Sequence, residues 1–594
     1  MTSQHRTAPH VNLLLVLAVF AVAAGTLITR AVVSGATTPL FADTDDAMRM
    51  VVVRDFLNGQ NWYDIVQHRL NTPFGAEVHW SRLVDLPIAT IIAIATPFAF
   101  GHAEQVAAYI WPLSLLLVLL WLSARLTLRL VGPDGVLPAL ILPVLSPAVT
   151  AEFTPGRMDH HSIQIILTLA MAWASIEALK RPRFALLAGV LCATALAIGT
   201  EAVPAVAAAI AAFALLWVLG EMQAKALRWF GLSFAAAALV HMAIALPPSR
   251  WLVPACDALS IFYVGAAVVV GVLFTGLSVW PKAAVSPWPK LIAAVITGAI
   301  GIAAVLAIDP LCLHGPYASL DPWLISHWID AIAEAKPWWN SLWDLPAYTI
   351  AVGVPGALGL ILIGLHLRQH KDRGEWLVLL MFLASATLIM VLQIRGSRLV
   401  TLPAIPAAAW LIVSARARYL NSQKLRDAIG LLASWLAFSG IVIVIGVTLI
   451  IARIPSHAQQ IAETRGDRFA CLMPDAFADL KGMAPEQLMT PIDLGSHMLL
   501  ETPHSVVSAP YHRDAEGVRD TFDFFNEPIA KARTILVRRG IGLVVTCPAM
   551  PEMQGQVDAA PDSFVRLAEQ DALPSWLKQV SSSGPLKIYA VQPQ

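Results

Sequence analysis

The sequence predicts a polytopic α-helical membrane protein with a C-terminal α/β domain on its outer face, and three observations predict it. Of the 594 residues, 57% are hydrophobic and only 13% charged, about half the charge of an ordinary soluble domain. Apolar runs long enough to cross ~30 Å of hydrocarbon begin near Val11, Ile110, Leu137, Ser162, Phe184, Val203, Phe230, Leu259, Leu291, Ala347, Trp376, Leu399 and Gly430, about thirteen spans in all. Lysine and arginine recur in every second connection between those runs.

The first run, Val11 to Ile28, follows a short polar stretch carrying Arg6 and reads as a retained signal anchor. Leu86 to Phe100 begins beside Pro87 and contains Pro97, falls short of a span, and is placed at the interface. With the N-terminus inside, the cytoplasmic loops hold Arg125 and Arg129, Lys180 and Arg181, Lys225 and Arg228, Lys282 and Lys290, Arg368 and Lys371, then Arg416, Arg418 and Lys424. That distribution satisfies the positive-inside rule at each loop, and counting Leu86 to Phe100 as a span would invert it from there on.

An odd number of spans puts residues 454–594 outside. There "LVVTCPAM" reads as a strand, and "DAFADLKGMAPEQL" and "NEPIAKARTILVRRG" as helices. Residues 1–453 form the membrane domain, with large outer loops at 34–109 and 309–346. In the first of these, "DDAMRMVVVRDFLNG" has apolar residues at helical spacing and a Gly stop, the pattern of a helix lying along the membrane. Cys192, Cys256 and Cys312 sit in or beside apolar segments and read as buried fillers. Cys471 and Cys547 share the outer domain and are placed to pair. The formal net charge is zero, so no basic field points to nucleic acid.

The acids outside the membrane form a pattern. Asp43, Asp45 and Asp46 open the first outer loop; "TPGRMDHHSIQ" brings Asp159, His160 and His161 to the mouth of a span; the middle loop holds Glu334; and "QIRGSRLVTLP" puts Arg395 and Arg398 at the outer membrane edge. Taken singly, each reads as a helix cap, a solvated loop charge or a headgroup anchor, and Asp43 as an N-cap. Together they read differently, because carboxylates beside a bilayer are costly unless paired or metal-bound. A hard divalent cation takes carboxylate oxygens and completes its shell with phosphate and water, while arginine offers a planar fork for the phosphate that remains. The set therefore suggests a site for a phosphate-linked lipid.

These residues resemble the GT-C membrane glycosyltransferases, and among them the catalytic subunit of oligosaccharyltransferase. "DDAMRMVVVRD" looks like that family's first-loop aspartate and helix, with Asp45 in the aspartate's place; Asp46 beside it is similar to the Asp-Glu pair of the aminoarabinose and mannosyl branches. "GRMDHH" looks like the second acidic motif, with Asp159 kept and His161 in place of an acid. "AIAEAKP" keeps Glu334 and Pro337 of the middle-loop motif, and "SRLVTLP" supplies the arginine, Arg398, that in the family meets the donor diphosphate. "PIDLG" retains Asp493 and Gly495 of the acceptor motif but neither of its tryptophans, which removes the basis for reading a peptide sequon.

The resemblance implies a GT-C fold and a glycosyltransferase that moves a sugar or oligosaccharide from a polyprenyl-(di)phosphate to an acceptor at the outer face of a bacterial inner membrane. It implies Mg²⁺ or Mn²⁺ on Asp45, Asp159 and His161, with Glu334 as a further ligand, Arg398 and Arg395 on the donor phosphate, and Asp45 or Glu334 as acceptor base. Two alternatives stand beside this expectation: a metal-independent transferase using a polyprenyl-monophosphate sugar, and a transporter of lipid-linked saccharide.

Overall fold

The computed structural model describes residues 10–279, 287–369, 372–452, 457–554, 558–581 and 584–592; Arg6, Lys282 and Lys371 of the orientation argument lie outside them. Among the described residues, ten helices are long and apolar enough to cross a membrane, from Leu13–Ser34 to Ile394–Ser422. The thirteen expected runs resolve into these ten, two shorter apolar helices and one bent pair, Leu425–Leu436 and Gly440–Ile451, whose halves meet at 94°.

The shortening has local causes. In "GVLPALILPVLSPAV" the chain leaves helix after Val144 and restarts at Pro147, which has no N–H to continue the ladder. Phe184–Ile198 ends at Gly199 after fifteen residues, about 22 Å at 1.5 Å per residue. The first two thirds of Leu86 to Phe100, the stretch assigned to the interface, belong to a helix, Arg82–Ala95, that packs against Ala103–Leu130.

The helix Thr44–Leu57 forms as its sequence directs, with Asp43 accepting the Asp45 N–H as N-cap and Gly59 beyond its end at φ +100°. It does not lie on a surface. Residues Asp46 to Val53 are buried on all sides, because the C-terminal helix Ile492–Glu501 covers it from above and Arg82–Ala95 from the flank. An amphipathic interfacial helix would have kept one polar face, and "AMRMVVV" has none to keep.

Strands β1 (Val66–Gln67) and β2 (Ala76–Glu77) make a small antiparallel hairpin in the first loop. The C-terminal domain is a five-stranded mixed sheet of β3 (Gln487–Met489), β4 (Ser505–Val506), β5 (Leu543–Thr546), β6 (Leu577–Ser581) and β7 (Lys587–Val591), in the order β4-β3-β5-β7-β6. Its β4-β3-β5 half is parallel, with helices as crossovers, and the remainder antiparallel. "LVVTCPAM" contains β5, and Ile529–Arg539 is the expected helix, closed by Gly540 at φ +66°. "DAFADLKGMAPEQL" departs from expectation. It gives one 3₁₀ turn and a single helical turn, then enters β3, since Gly482 and Pro485 leave too few residues for a helix.

Cys471 and Cys547 form a disulfide. So do Cys256 and Cys312, read above as fillers; the pair links the loop before Ile261–Ser278 to the start of the middle loop, a contact between stretches 56 residues apart. Cys192 is buried and free.

Candidate active site

Two loops meet at one end of the helix bundle, and a network of opposite charges joins them. Arg157, which motif reading passed over, reaches Asp43 and Asp46 at 2.9 Å each and Glu152 at 3.0 Å. Asp46 accepts the backbone N–H groups of Met158 (2.7 Å) and Asp159 (3.0 Å) on its other oxygen. Gly156 allows the approach: its φ is +94°, and a Cβ there would stand 1.9 Å from the Leu40 carbonyl oxygen.

The three aspartates of the first loop thus separate by role. Asp43 caps the helix and pairs with Arg157, Asp46 holds the Met158–Asp159 backbone, and Asp45, in hydrogen-bond contact with Tyr511, lies within electrostatic reach of Asp159, His161 and Glu334. Burial pushes the Asp45 carboxyl well above its ordinary range, and the negative charges of Asp159 and Asp43 add to it. Burial likewise raises Asp46 to about 7 against the pull of Arg157.

Asp159 is 3% exposed and lies between two histidines. His160 Nδ1 contacts its Oδ1, and His161 Nε2 stands 3.0 Å from its Oδ2. Burial opposes ionisation here, but the two imidazoles hold the carboxyl well below its usual range. On its far side His161 Nδ1 is 3.0 Å from Glu201 Oε2, in the turn Thr200–Ala202. Arg49, fully buried, bonds Asp85 at 2.7 Å, stacks on Trp80 at 4.2 Å and lies 3.9 Å from Asp159 Oδ1.

Arg398 opens the helix Ser397–Ser422, where it reaches Glu334 Oε2 at 2.8 Å and Glu152 Oε1 at 3.5 Å; its Nη1 is buried without a hydrogen-bond partner. Arg395 bonds the Gln393 side chain at 2.8 Å, within electrostatic reach of Glu201 and Glu334. Glu334 is half exposed on the turn Ala333–Ala335. Asp493 stands apart, paired with Arg468. Its helix nevertheless closes the site: His497 Nε2 meets the Phe41 carbonyl at 2.8 Å, and Tyr511 donates to the Thr44 carbonyl at 3.1 Å. Gly495 is needed there, since a Cβ would fall 2.0 Å from the Ser508 carbonyl oxygen.

The arrangement fits a divalent cation. Asp159 Oδ2 is buried against His161 Nε2 at 3.0 Å without a well-aligned hydrogen bond, and the nearby Asp45 carboxylate is destabilised by the negative charges around it, so a cation would bind the first and neutralise the second. Asp159, His160 and His161 offer ligand atoms within 4.8 Å of one another. Arg49 and Arg157 lie within the motif stretches but are not singled out by them, and Glu152, Glu201 and Tyr511 carry no short motif; their positions in the fold reveal all five.

At the level of sequence, no family model and no curated protein matches this chain. Solved structures do. The archaeal oligosaccharyltransferase AglB from Archaeoglobus fulgidus, in complex with an inhibitory peptide and a dolichol-phosphate, superposes with a TM-score of 0.67 at 14% identity over 97% of this chain and 74% of that one. The same enzyme tethered to an acceptor peptide with an NVT sequon gives 0.68 at 13% identity, with the same coverage. This chain has the GT-C fold. It is an oligosaccharyltransferase-like GT-C fold, helical through the membrane with a globular C-terminal domain, and the expected architecture is borne out. ArnT from Cupriavidus metallidurans, bound to undecaprenyl phosphate, also matches over 98% of this chain and 99% of that one, at 11% identity and a TM-score of 0.42.

Proposed function

We propose that this GT-C protein is a metal-assisted glycosyltransferase that moves a sugar or oligosaccharide from a polyprenyl-phosphate or polyprenyl-diphosphate to an acceptor at the outer face of a bacterial inner membrane. One observation carries the reading: Asp45, Asp159 and His161, drawn from two separate loops, converge beside Arg398 where the spanning helices end under the C-terminal domain. The two disulfides support the outer-face assignment, since both lie on this side and such bonds persist in oxidising compartments. A cation bound here would act as a Lewis acid on the leaving phosphate, and the imidazole in the donor set favours Mn²⁺ over Mg²⁺.

The protein's own groups supply the rest. Arg398, with an unpartnered Nη1, is placed to take a phosphate oxygen, and Arg395 adds positive charge beside it. Glu334, on the exposed side of Arg398, accepts the acceptor's proton or orients its nucleophile as the bond from sugar carbon to phosphate oxygen breaks; Asp45 is the other base in reach. Residues 454–594 then roof the acceptor groove. The middle loop borders it, held by Trp323, which stacks on His327 and carries Arg519 of the C-terminal domain 3.9 Å above its ring.

The test is transfer or hydrolysis of a polyprenyl-diphosphate sugar by purified protein. Turnover should stop in EDTA, return with Mn²⁺, and be absent in both Asp45→Ala and Asp159→Ala. Turnover that ignores EDTA but needs Asp45 would select the metal-independent, monophosphate-donor alternative. Full activity in both variants would place the active site elsewhere.

A further inference from the structure

Asp46 has no chemical task in the proposed reaction, although it is as buried as any acid of the first loop, at 1% exposure. Its contacts are all of one kind. Oδ1 accepts from Met158 N at 2.7 Å and Asp159 N at 3.0 Å, and Oδ2 from Arg157 Nη1 at 2.9 Å. Every partner belongs to the second loop. No partner is a side chain of its own helix, and with three donors already in place its oxygens have little capacity left for a cation.

The consequence is geometric. Asp45 and Asp46 are neighbours in the first turn of one helix, so fixing Asp46 fixes the Asp45 carboxylate. The N–H that Asp46 holds is that of Asp159 itself. One side chain therefore sets the distance between two acids 114 positions apart whose charges repel. Without it, mutual repulsion would be opposed by side-chain pairs such as Arg157 with Asp43 and Arg49 with Asp159, since no other hydrogen bond ties the Asp159 backbone to the Thr44–Leu57 helix among the described residues. Arg157 makes the clasp tolerable, because its one positive charge is shared among Asp46, Asp43 and Glu152 while it stays 4.0 Å from Asp159 Oδ2.

We propose that Asp46 is a positioning residue that pre-assembles the cation site by clasping the Asp159 backbone to the helix bearing Asp45. This rests on the metal-assisted reading and deepens it: the cation is bound by Asp45 and Asp159, and its affinity is set by Asp46. Residues that orient metal ligands typically govern affinity by ~10–100-fold. A clasp differs from a ligand in one measurable respect, since losing it weakens binding without removing a donor, so excess cation restores the site.

The experiment titrates Mn²⁺ into the full-length, detergent-solubilised protein and reads free Mn²⁺ by electron paramagnetic resonance, with turnover measured in parallel. Asp46→Ala should weaken binding ~10–100-fold, with turnover recovering at saturating Mn²⁺, whereas Asp45→Ala should not recover at any concentration. Asp46→Asn, which keeps the acceptor for the two N–H groups but sets an amide against Arg157, should fall between Asp46→Ala and wild type and serves where the alanine variant does not fold. Either Asp46 variant, folded with a native melting temperature and binding Mn²⁺ within about twofold of wild type, overturns the inference. Failure of wild type to bind Mn²⁺ at all overturns the metal-assisted reading along with it.

Discussion

This protein holds two carboxylate–histidine clusters, and they are built from the same parts to opposite effect. In the first, Asp159 sits between His160 and His161 with one oxygen lacking a well-aligned hydrogen bond and a second acid, Asp45, within electrostatic reach. In the second, Asp257 accepts from His512 at 2.7 Å and from Arg513 at 2.7 and 3.0 Å, and His79 lies with its ring 4.7 Å from His512. Arg513 decides the difference. It occupies both oxygens of Asp257 and also reaches Glu77 at 2.9 Å, which in turn pairs with Arg250. The second cluster is thus electrically complete, and it clasps the β1–β2 hairpin, the loop before Ile261–Ser278 and the C-terminal domain together. Residue types alone would nominate both as metal sites. Only the first has unsatisfied negative charge to offer.

Exchanging acid for amide in each cluster separates chemistry from architecture. Asp159→Asn should cost the larger amount, ~10³-fold or more in turnover, since a Lewis-acid contact contributes several kcal/mol and each 1.36 kcal/mol is about tenfold. Its melting temperature should fall as well, because a carboxyl held below its usual range by His160 and His161 stabilises the fold when ionised, and its loss outweighs the repulsion that Asp45 is spared. If Asp159→Asn keeps turnover, the contrast drawn here fails at its first point.

Arg398→Ala should follow at ~10²-fold, the scale for removing one charged donor from a developing oxyanion. The loss should appear in turnover of the phosphate-linked donor at saturation, while Arg513→Ala, in the other cluster, should spare that parameter per folded molecule. Asp257→Asn comes next: it leaves the Arg513 guanidinium without its two-pronged partner in a largely buried position, at a cost of about 2–3 kcal/mol after allowing for partial exposure. Thermal melting of the purified protein reads this directly, and a melting temperature unchanged by Asp257→Asn would show that the clasp holds nothing.

How much of this was legible in sequence follows from how each feature is encoded. Spans and domain order are written in long apolar runs, so the fold class was readable, whereas the number of full-length spans was not, because Pro138, Pro143 and Pro147 break one run without making it polar. Asp45, Asp159, His161, Glu334 and Arg398 announced themselves as acids, imidazole and guanidinium in the connections between apolar runs, and the structure links them through one charge network. Asp493 carried the same kind of signal yet pairs with Arg468 instead, since a motif does not specify its partner. Arg157 and Glu201 act through contacts between residues far apart in the chain, and those distances exist only once the helices have packed. Cys256 and Cys312 read as apolar fillers for the same reason: their proximity belongs to the tertiary structure.

The smallest effect concerns the completeness of the second cluster, and His79 reports on it. Burial holds its imidazole well below 6.5, and the positive charges of His512 and Arg513 push in the same direction while Asp257 opposes them. A group whose pKa is depressed by folding binds its proton first in the unfolded chain, so as pH falls below about 6.5 the unfolded state gains protons that the folded state refuses. The stability supplied by neutral His79 is therefore full above about 6.5 and is lost as pH falls toward its lower folded value. Asp257, held low by His512 and Arg513 against its burial, keeps its contribution down to more acid pH, where the unfolded carboxylate near 4 begins to protonate. Between pH 7 and 5 the wild type should lose stability relative to His79→Gln by up to one proton, about 1.4 kcal/mol per pH unit. An identical slope in the two proteins would mean that His79 takes up its proton without disturbing the clasp, and that the second cluster is looser than its distances to Arg513 imply.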